Sequence, residues 1–165
     1  MKSDTIGSQM HPNFAAIIEQ LHAPFERLIA QTPIIIGRFP ADMAQRGVYL
    51  FSEGPRHLYV GRTNDIRGRY GRHCNPGATH RTAAFAFRLA REATGQLKAT
   101  YKPGEGSRNA LIADAKFAAA FVAAKQRIRE MDFRWTEESD PLRQCLLEVY
   151  CAVALETPYN DFDNH

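Results

Sequence analysis

Five residues of this chain have types and spacing that could do chemistry: Tyr49, Tyr59, Arg69, His73 and Glu148. The tyrosines sit in two short apolar runs, Gly47-Val48-Tyr49 and Tyr59-Val60-Gly61, and arginines follow the second run closely. Guanidinium forks match phosphate oxygens, and their charge is not titrated away. Glu148 is the only charged residue in the run CLLEVYCAVAL from Cys145 to Leu155. A helix that is apolar nearly all round is expected to be buried, where an ionised carboxylate is costly unless something pairs with it. Unless it occupies one exposed strip of its helix, Glu148 therefore needs an arginine, a proton or a metal ion as partner.

Strands and helices must bring these groups together. Val48, Leu50 and Phe51, then Leu58, Tyr59 and Val60, favour β-strands, and Ser52-Glu53-Gly54-Pro55-Arg56 between them reads as a hairpin loop. If Tyr49 lies opposite Tyr59, both phenols leave one face of the hairpin, because strand side chains alternate with a period of two. A one-residue slip would separate them. Thr63 or Asn64 can cap a helix over about 65–74 that ends before Asn75-Pro76-Gly77, with Arg69 and His73 four apart on one side. A second helix over about 82–94 starts at a Thr82 cap and stops at Gly95, with Arg81, Arg88 and Arg91 as a stripe. An alanine-rich helix over about 108–130 follows the Lys102–Gly106 loop. Met131, Phe133 and Trp135 then alternate with polar residues as a third strand with one buried face. Asp140-Pro141 starts the last helix, with the aspartate as cap and the proline in the first turn. Ahead of all this, Phe14, Ile17, Ile18, Leu21, Phe25, Leu28 and Ile29 recur at helical spacing and predict one amphipathic helix over about 12–31, closed by Thr32-Pro33.

At 165 residues the chain is about one domain long, and its net charge of +3 conceals a strong asymmetry. From Arg56 to Arg81 six arginines face the single acid Asp65, whereas from Asp132 onward two arginines face eight acids. Basic charge is thus concentrated beside the hairpin, which suits a phosphate-bearing partner. The three cysteines, 74, 145 and 151, show no metal-binding spacing and suggest a reducing, cytoplasmic setting. No apolar run reaches membrane-spanning length.

In their order along the chain, Gly47-Val48-Tyr49, Tyr59-Val60-Gly61, Arg69, His73 and Glu148 resemble the GIY-YIG nuclease superfamily, with valine in place of isoleucine in both motifs. Arg69 falls eight residues beyond Gly61 and His73 twelve beyond, on the helix after the second strand, as in that family. Glu148 matches the family's metal-binding glutamate, and Asn160 follows it as the family's asparagine does. The resemblance covers roughly residues 46–161. It implies an α+β fold: a small antiparallel sheet of about three strands flanked by helices, within a catalytic domain over 46–165. Residues 1–45 become an N-terminal extension carrying the amphipathic helix, and about 75–129 a helical insertion. The interval between the tyrosines is about one residue shorter than in some members.

The resemblance further implies a metal-dependent DNA endonuclease that hydrolyses phosphodiester bonds through a single-metal site. Glu148 would be the sole protein ligand of Mg²⁺ or Mn²⁺, since one carboxylate, waters and the substrate phosphate suffice for such a cation. Arg69 would clamp the charged phosphoryl group, with Arg62 adding to it. Tyr49 would be the general base or orient the water, a role that needs its phenol depressed by arginine or metal unless it only positions the water. Tyr59 would orient nucleophile or substrate, His73 would receive a proton or bind phosphate, and Asn160 would hold the site together. Gly47 and Gly61 support the two motifs. Arg67, Arg72, Arg81, Arg88 and Arg91 are the expected contacts to duplex or branched DNA, made by a monomer or a homodimer. The reading from a different class is a nucleic-acid-binding module that has the same fold and no cleavage.

Overall fold

The computed structural model describes residues 10–96, 104 and 106–162. Three strands, β1 (Gly47–Glu53), β2 (Arg56–Thr63) and β3 (Asp132–Glu137), form one antiparallel sheet in the order β2-β1-β3. Seven helices surround it among the described residues: α1 (Pro12–Glu19), α2 (His22–Ala30), α3 (Ile66–Cys74), α4 (Ala84–Thr94), α5 (Arg108–Ala113), α6 (Ala115–Glu130) and α7 (Pro141–Ala154). The class is α+β with a three-stranded antiparallel sheet, as the hairpin and the alternating third segment predict.

Strand alternation divides the core in two. Tyr49, Phe51 and Phe133 face one cluster with Tyr70 of α3, Phe85 and Phe87 of α4, and Phe117, Phe121 and Ile128 of α6. Val48, Leu50 and Val60 face the other with Leu21 and Leu28 of the N-terminal segment and Leu147 and Cys151 of α7. The residues read as an extension and as an insertion thus supply opposite covers of the same sheet. No helix among the described residues is long and apolar enough to cross a membrane.

Several local expectations are corrected. The helix over 12–31 is two helices, broken after Glu19. Pro24 explains the break, since it offers no N–H to the carbonyl of Gln20 and its ring crowds that carbonyl. The helix over 108–130 is also two, because the Asp114 side chain accepts from the Phe117 N–H at 2.8 Å and so starts α6 afresh. α3 is capped by Asp65 rather than Thr63 or Asn64, and Thr82 does not cap α4. The Lys102–Gly106 loop falls largely outside the described residues. The hairpin strands run further than predicted and leave only Gly54-Pro55 between them. Finally, α7 is not buried all round: Leu142, Val149 and Val153 are exposed on its outer face.

Candidate active site

The hairpin register differs from a Tyr49–Tyr59 pairing, and the difference builds the site. Tyr49 pairs with Gly61 and Phe51 with Tyr59, with an irregularity between Phe51 and Ser52 that absorbs one residue of β2. Tyr49 and Tyr59 still share a face, as diagonal neighbours with ring centroids 6.4 Å apart. The Tyr49 hydroxyl lies directly over Gly61, where a Cβ would stand 2.2 Å from it. The glycine of the second motif is thus the seat of the phenol of the first. Gly47 is required for a similar reason, since a Cβ there would stand 1.9 Å from the Thr136 carbonyl oxygen on β3.

α3 delivers the next two groups. Asp65 accepts from the Gly68 N–H at 2.9 Å to start the helix, and the four-residue spacing turns Arg69 and His73 toward the sheet together. Arg69 donates from Nε to Tyr49 Oη at 3.1 Å, and Oη lies 2.8 Å from His73 Nε2. His73 is fully buried and its Nδ1 has no protein partner. Arg69 can only donate, so Oη accepts there. The arrangement with fewest orphaned groups then has the phenol donating to His73 Nε2, with the ring proton on Nδ1.

Burial dominates the electrostatics here. It pushes the Tyr49 phenol far above its ordinary range, helped by Tyr59, and Arg69 only partly opposes this. The depressed phenol that a base role for Tyr49 would need is absent: Tyr49 is neutral and 1% exposed. Burial first, then Arg69 and Arg72, hold His73 well below its ordinary value, so it too is neutral. Tyr59 is half-buried, its ring stacked on Phe85 with centroids 4.8 Å apart, and it interacts with the Arg69 guanidinium.

Glu148 arrives from the other face of the sheet. α7 packs there, and the carboxylate reaches the edge strand β2, where Arg62 donates from Nε to Oε2 at 3.0 Å. Burial raises the Glu148 carboxyl above its ordinary value, opposed by Arg62 and then by Arg69. The charge of Glu148 also acts on Tyr49, so groups from both faces meet around β2. Of the three partners the sequence left open, the arginine is Arg62. Among the described residues no group of three or more His, Cys, Asp or Glu side chains could hold a metal ion. Glu148 stands as a single carboxylate.

Asn160 acts on the same strand without touching these groups. Its Oδ1 accepts from the Val60 N–H and its Nδ2 donates to the Val60 carbonyl, both at 2.8 Å, so one side chain satisfies both edge-facing groups of that residue. Tyr159 N–H adds a bond to the Leu58 carbonyl at 3.2 Å. The C-terminal segment therefore covers the β2 edge as far as Val60, and Arg62 lies just beyond. Thr157, which donates to Asn160 Oδ1 at 2.8 Å, is a supporting residue that sequence reasoning missed. Its hydroxyl had no signature beyond lying three residues before the asparagine.

The arginines expected to meet DNA divide into two groups. Arg67 donates to the carbonyls of Pro40 and Ala41 and lies over the Phe39 ring, so it anchors the connector ahead of β1. Arg88 donates to the Tyr159 carbonyl and to Asp161, and Arg91 to the Gln96 carbonyl at 2.9 Å. Arg72 is exposed, 3.7 Å from Asp65, and Arg81 is exposed. The stripe of 81, 88 and 91 is thus largely committed to holding the chain together. Comparison with family models, curated proteins and solved structures finds no match for this chain.

Proposed function

We propose that this chain is a divalent-cation-dependent DNA endonuclease of GIY-YIG type. The observation that carries the reading is the convergence on β2 of a buried Tyr49–Arg69–His73 group and an Arg62–Glu148 pair from opposite faces of the sheet. Ordinary core packing does not call for two arginines, a neutral histidine and a part-buried carboxylate around one strand.

The roles follow from accessibility and charge. Arg69 is fixed by the Tyr49 phenol and presents its guanidinium beside Tyr59, where it would stabilise charge growing on phosphoryl oxygens. Tyr49, buried and neutral, is a positioning residue for Arg69 rather than a base. Tyr59 is the tyrosine with an exposed side and would orient the attacking water. His73 accepts the Tyr49 proton in a hydrogen bond and fixes the rotation of that hydroxyl. Glu148 fits a hard cation, since an oxygen donor whose charge is made costly by burial gains from one, and waters and phosphate complete the shell. Mg²⁺ or Mn²⁺ held there would polarise the phosphate and ease departure of the 3′ oxygen.

Nicking of supercoiled plasmid tests the reading. Cleavage should require Mg²⁺ or Mn²⁺ and disappear in Glu148→Gln and Arg69→Ala. Duplex binding without cleavage of duplex, single-stranded or branched DNA would instead identify a non-catalytic nucleic-acid-binding module.

A further inference from the structure

Two other ion pairs of this chain are two-point contacts. Arg127 grips Glu53 with Nε at 2.7 Å and Nη2 at 2.8 Å, and Arg143 grips Glu138 with Nε and Nη2 both at 3.0 Å. The Arg62 side chain meets Glu148 through Nε alone, beside a bond from the Arg62 backbone to the same carboxylate, and it is 45% exposed against 22% for the glutamate. Its backbone is fixed, because the neighbouring Gly61 is wedged beneath the Tyr49 hydroxyl. A guanidinium on a rigid strand, half in solvent and holding its partner by one side-chain bond while the backbone bond stays in place, is built to let go.

We propose that Arg62 is a displaceable latch on Glu148. In the free protein it occupies the carboxylate; when a nucleic-acid phosphate arrives, the guanidinium transfers to the phosphate oxygens and leaves Glu148 open to a divalent cation. This rests on the nuclease reading and adds a regulation of its site. A guanidinium fork suits phosphate at least as well as carboxylate, so the exchange keeps Arg62 paired throughout. Neither partner is left as an unpaired charge, which is the costly outcome for the part-buried Glu148. Cation and phosphate binding are then coupled through one side chain, and the coupling is reciprocal: duplex raises the affinity for the cation by the factor by which the cation raises the affinity for duplex.

Mn²⁺ titration of the full chain, followed by the paramagnetic resonance signal of the free ion, tests this without turnover. Without DNA, Arg62→Gln should bind Mn²⁺ about tenfold more tightly than the wild type, within the usual span of such couplings. Adding a short phosphorothioate duplex should tighten Mn²⁺ binding by the wild type about tenfold and by Arg62→Gln hardly at all. Circular dichroism verifies the fold, and Arg62→Lys, which keeps the charge but cannot donate from Nε, serves if the glutamine variant does not fold. It too should bind free Mn²⁺ more tightly than the wild type. Equal Mn²⁺ affinity in wild type and variant, or an undiminished duplex effect in the variant, overturns the latch. Plasmid nicking by the wild type, dependent on Mg²⁺ and on Glu148, would then leave the nuclease reading standing; its absence would remove that reading separately.

Discussion

Gly61→Ala is the smallest change that should disable the site, and its cost can be worked from the contacts. The added Cβ would stand 2.2 Å from the Tyr49 hydroxyl and 2.4 Å from its Cζ, where ordinary contact begins at 3.4 Å, so the ring must retreat by about 1 Å. Tyr49 lies on the central strand, paired with Gly61 on the edge strand, and both are buried, which resists such a shift. Forcing an extra methyl into a packed interior costs about 1–3 kcal/mol. The retreat also breaks the bonds to His73 and Arg69, at about 1 kcal/mol each. The sum, about 4 kcal/mol, is a large part of the stability of a typical domain. Trp135 is the only tryptophan and is 9% exposed in the core, so its fluorescence reports unfolding directly. For a chain of this size the melting temperature should fall by about 10 °C and the urea midpoint by about 2 M. Gly77→Ala is the control, since a Cβ there meets nothing within 4 Å and should change stability by under about 0.5 kcal/mol. At a temperature where the variant is folded, nicking should still be lost, because Arg69 has lost its phenol anchor. A loss of stability below about 1 kcal/mol would refute the claim that the phenol is seated on the glycine.

Further outcomes follow from individual contacts. His73 has a folded-state value depressed by burial, so the unfolded chain takes up its proton first as pH falls below about 6.5. The stability this group supports is complete above that pH and falls by up to about 1.4 kcal/mol per pH unit below it. Denaturation of His73→Gln across pH 5–7 should therefore show a shallower slope than the wild type, and parallel slopes would count against a buried neutral histidine. Asn160→Ala strips both edge-facing groups of Val60 of their partner and should cost about 1–3 kcal/mol in urea unfolding. In duplex-binding titrations against salt, Arg81→Ala should lower the slope of log affinity by about one unit, whereas Arg67→Ala should leave it unchanged. Equal effects would mean that Arg67 leaves its carbonyl partners on DNA.

Much of the fold is legible wherever periodicity meets punctuation. A run of β-favouring residues marks β1 and alternation marks β3, Asn75-Pro76-Gly77 ends α3, Gly95 ends α4 in the left-handed conformation, and Asp140-Pro141 opens α7. Boundaries are lost where one residue overrides a long apolar pattern, as Pro24 does in the first helix and Asp114 in the alanine-rich one. The register is lost because the irregularity beside Ser52 leaves no compositional trace: Leu58 looks like any strand residue. The exposed face of α7 is lost for a different reason. Leu142, Val149 and Val153 are apolar on a surface, and hydrophobicity alone does not say which side of a helix meets the sheet.

The residues gathered around β2 were legible as a set, and their separate surroundings were not. Tyr49 and Tyr59 look equivalent in sequence, yet the first is sealed beneath the β2 backbone and the second keeps an exposed side. Arg67 and Arg88 look like Arg81, yet each donates to a backbone carbonyl, which every residue carries and no sequence pattern advertises. The two halves of the site are joined by a physical element that the motifs mark only indirectly. β2 is an edge strand, so side chains from both faces can reach its free side, where Gly61 admits the phenol and Arg62 meets the glutamate. Asn160 closes that edge at Val60. A partly covered edge strand is a weakness in an ordinary sheet; on the proposed function, its end beyond Val60 is where a phosphate could lie between the guanidinium groups of Arg62 and Arg69.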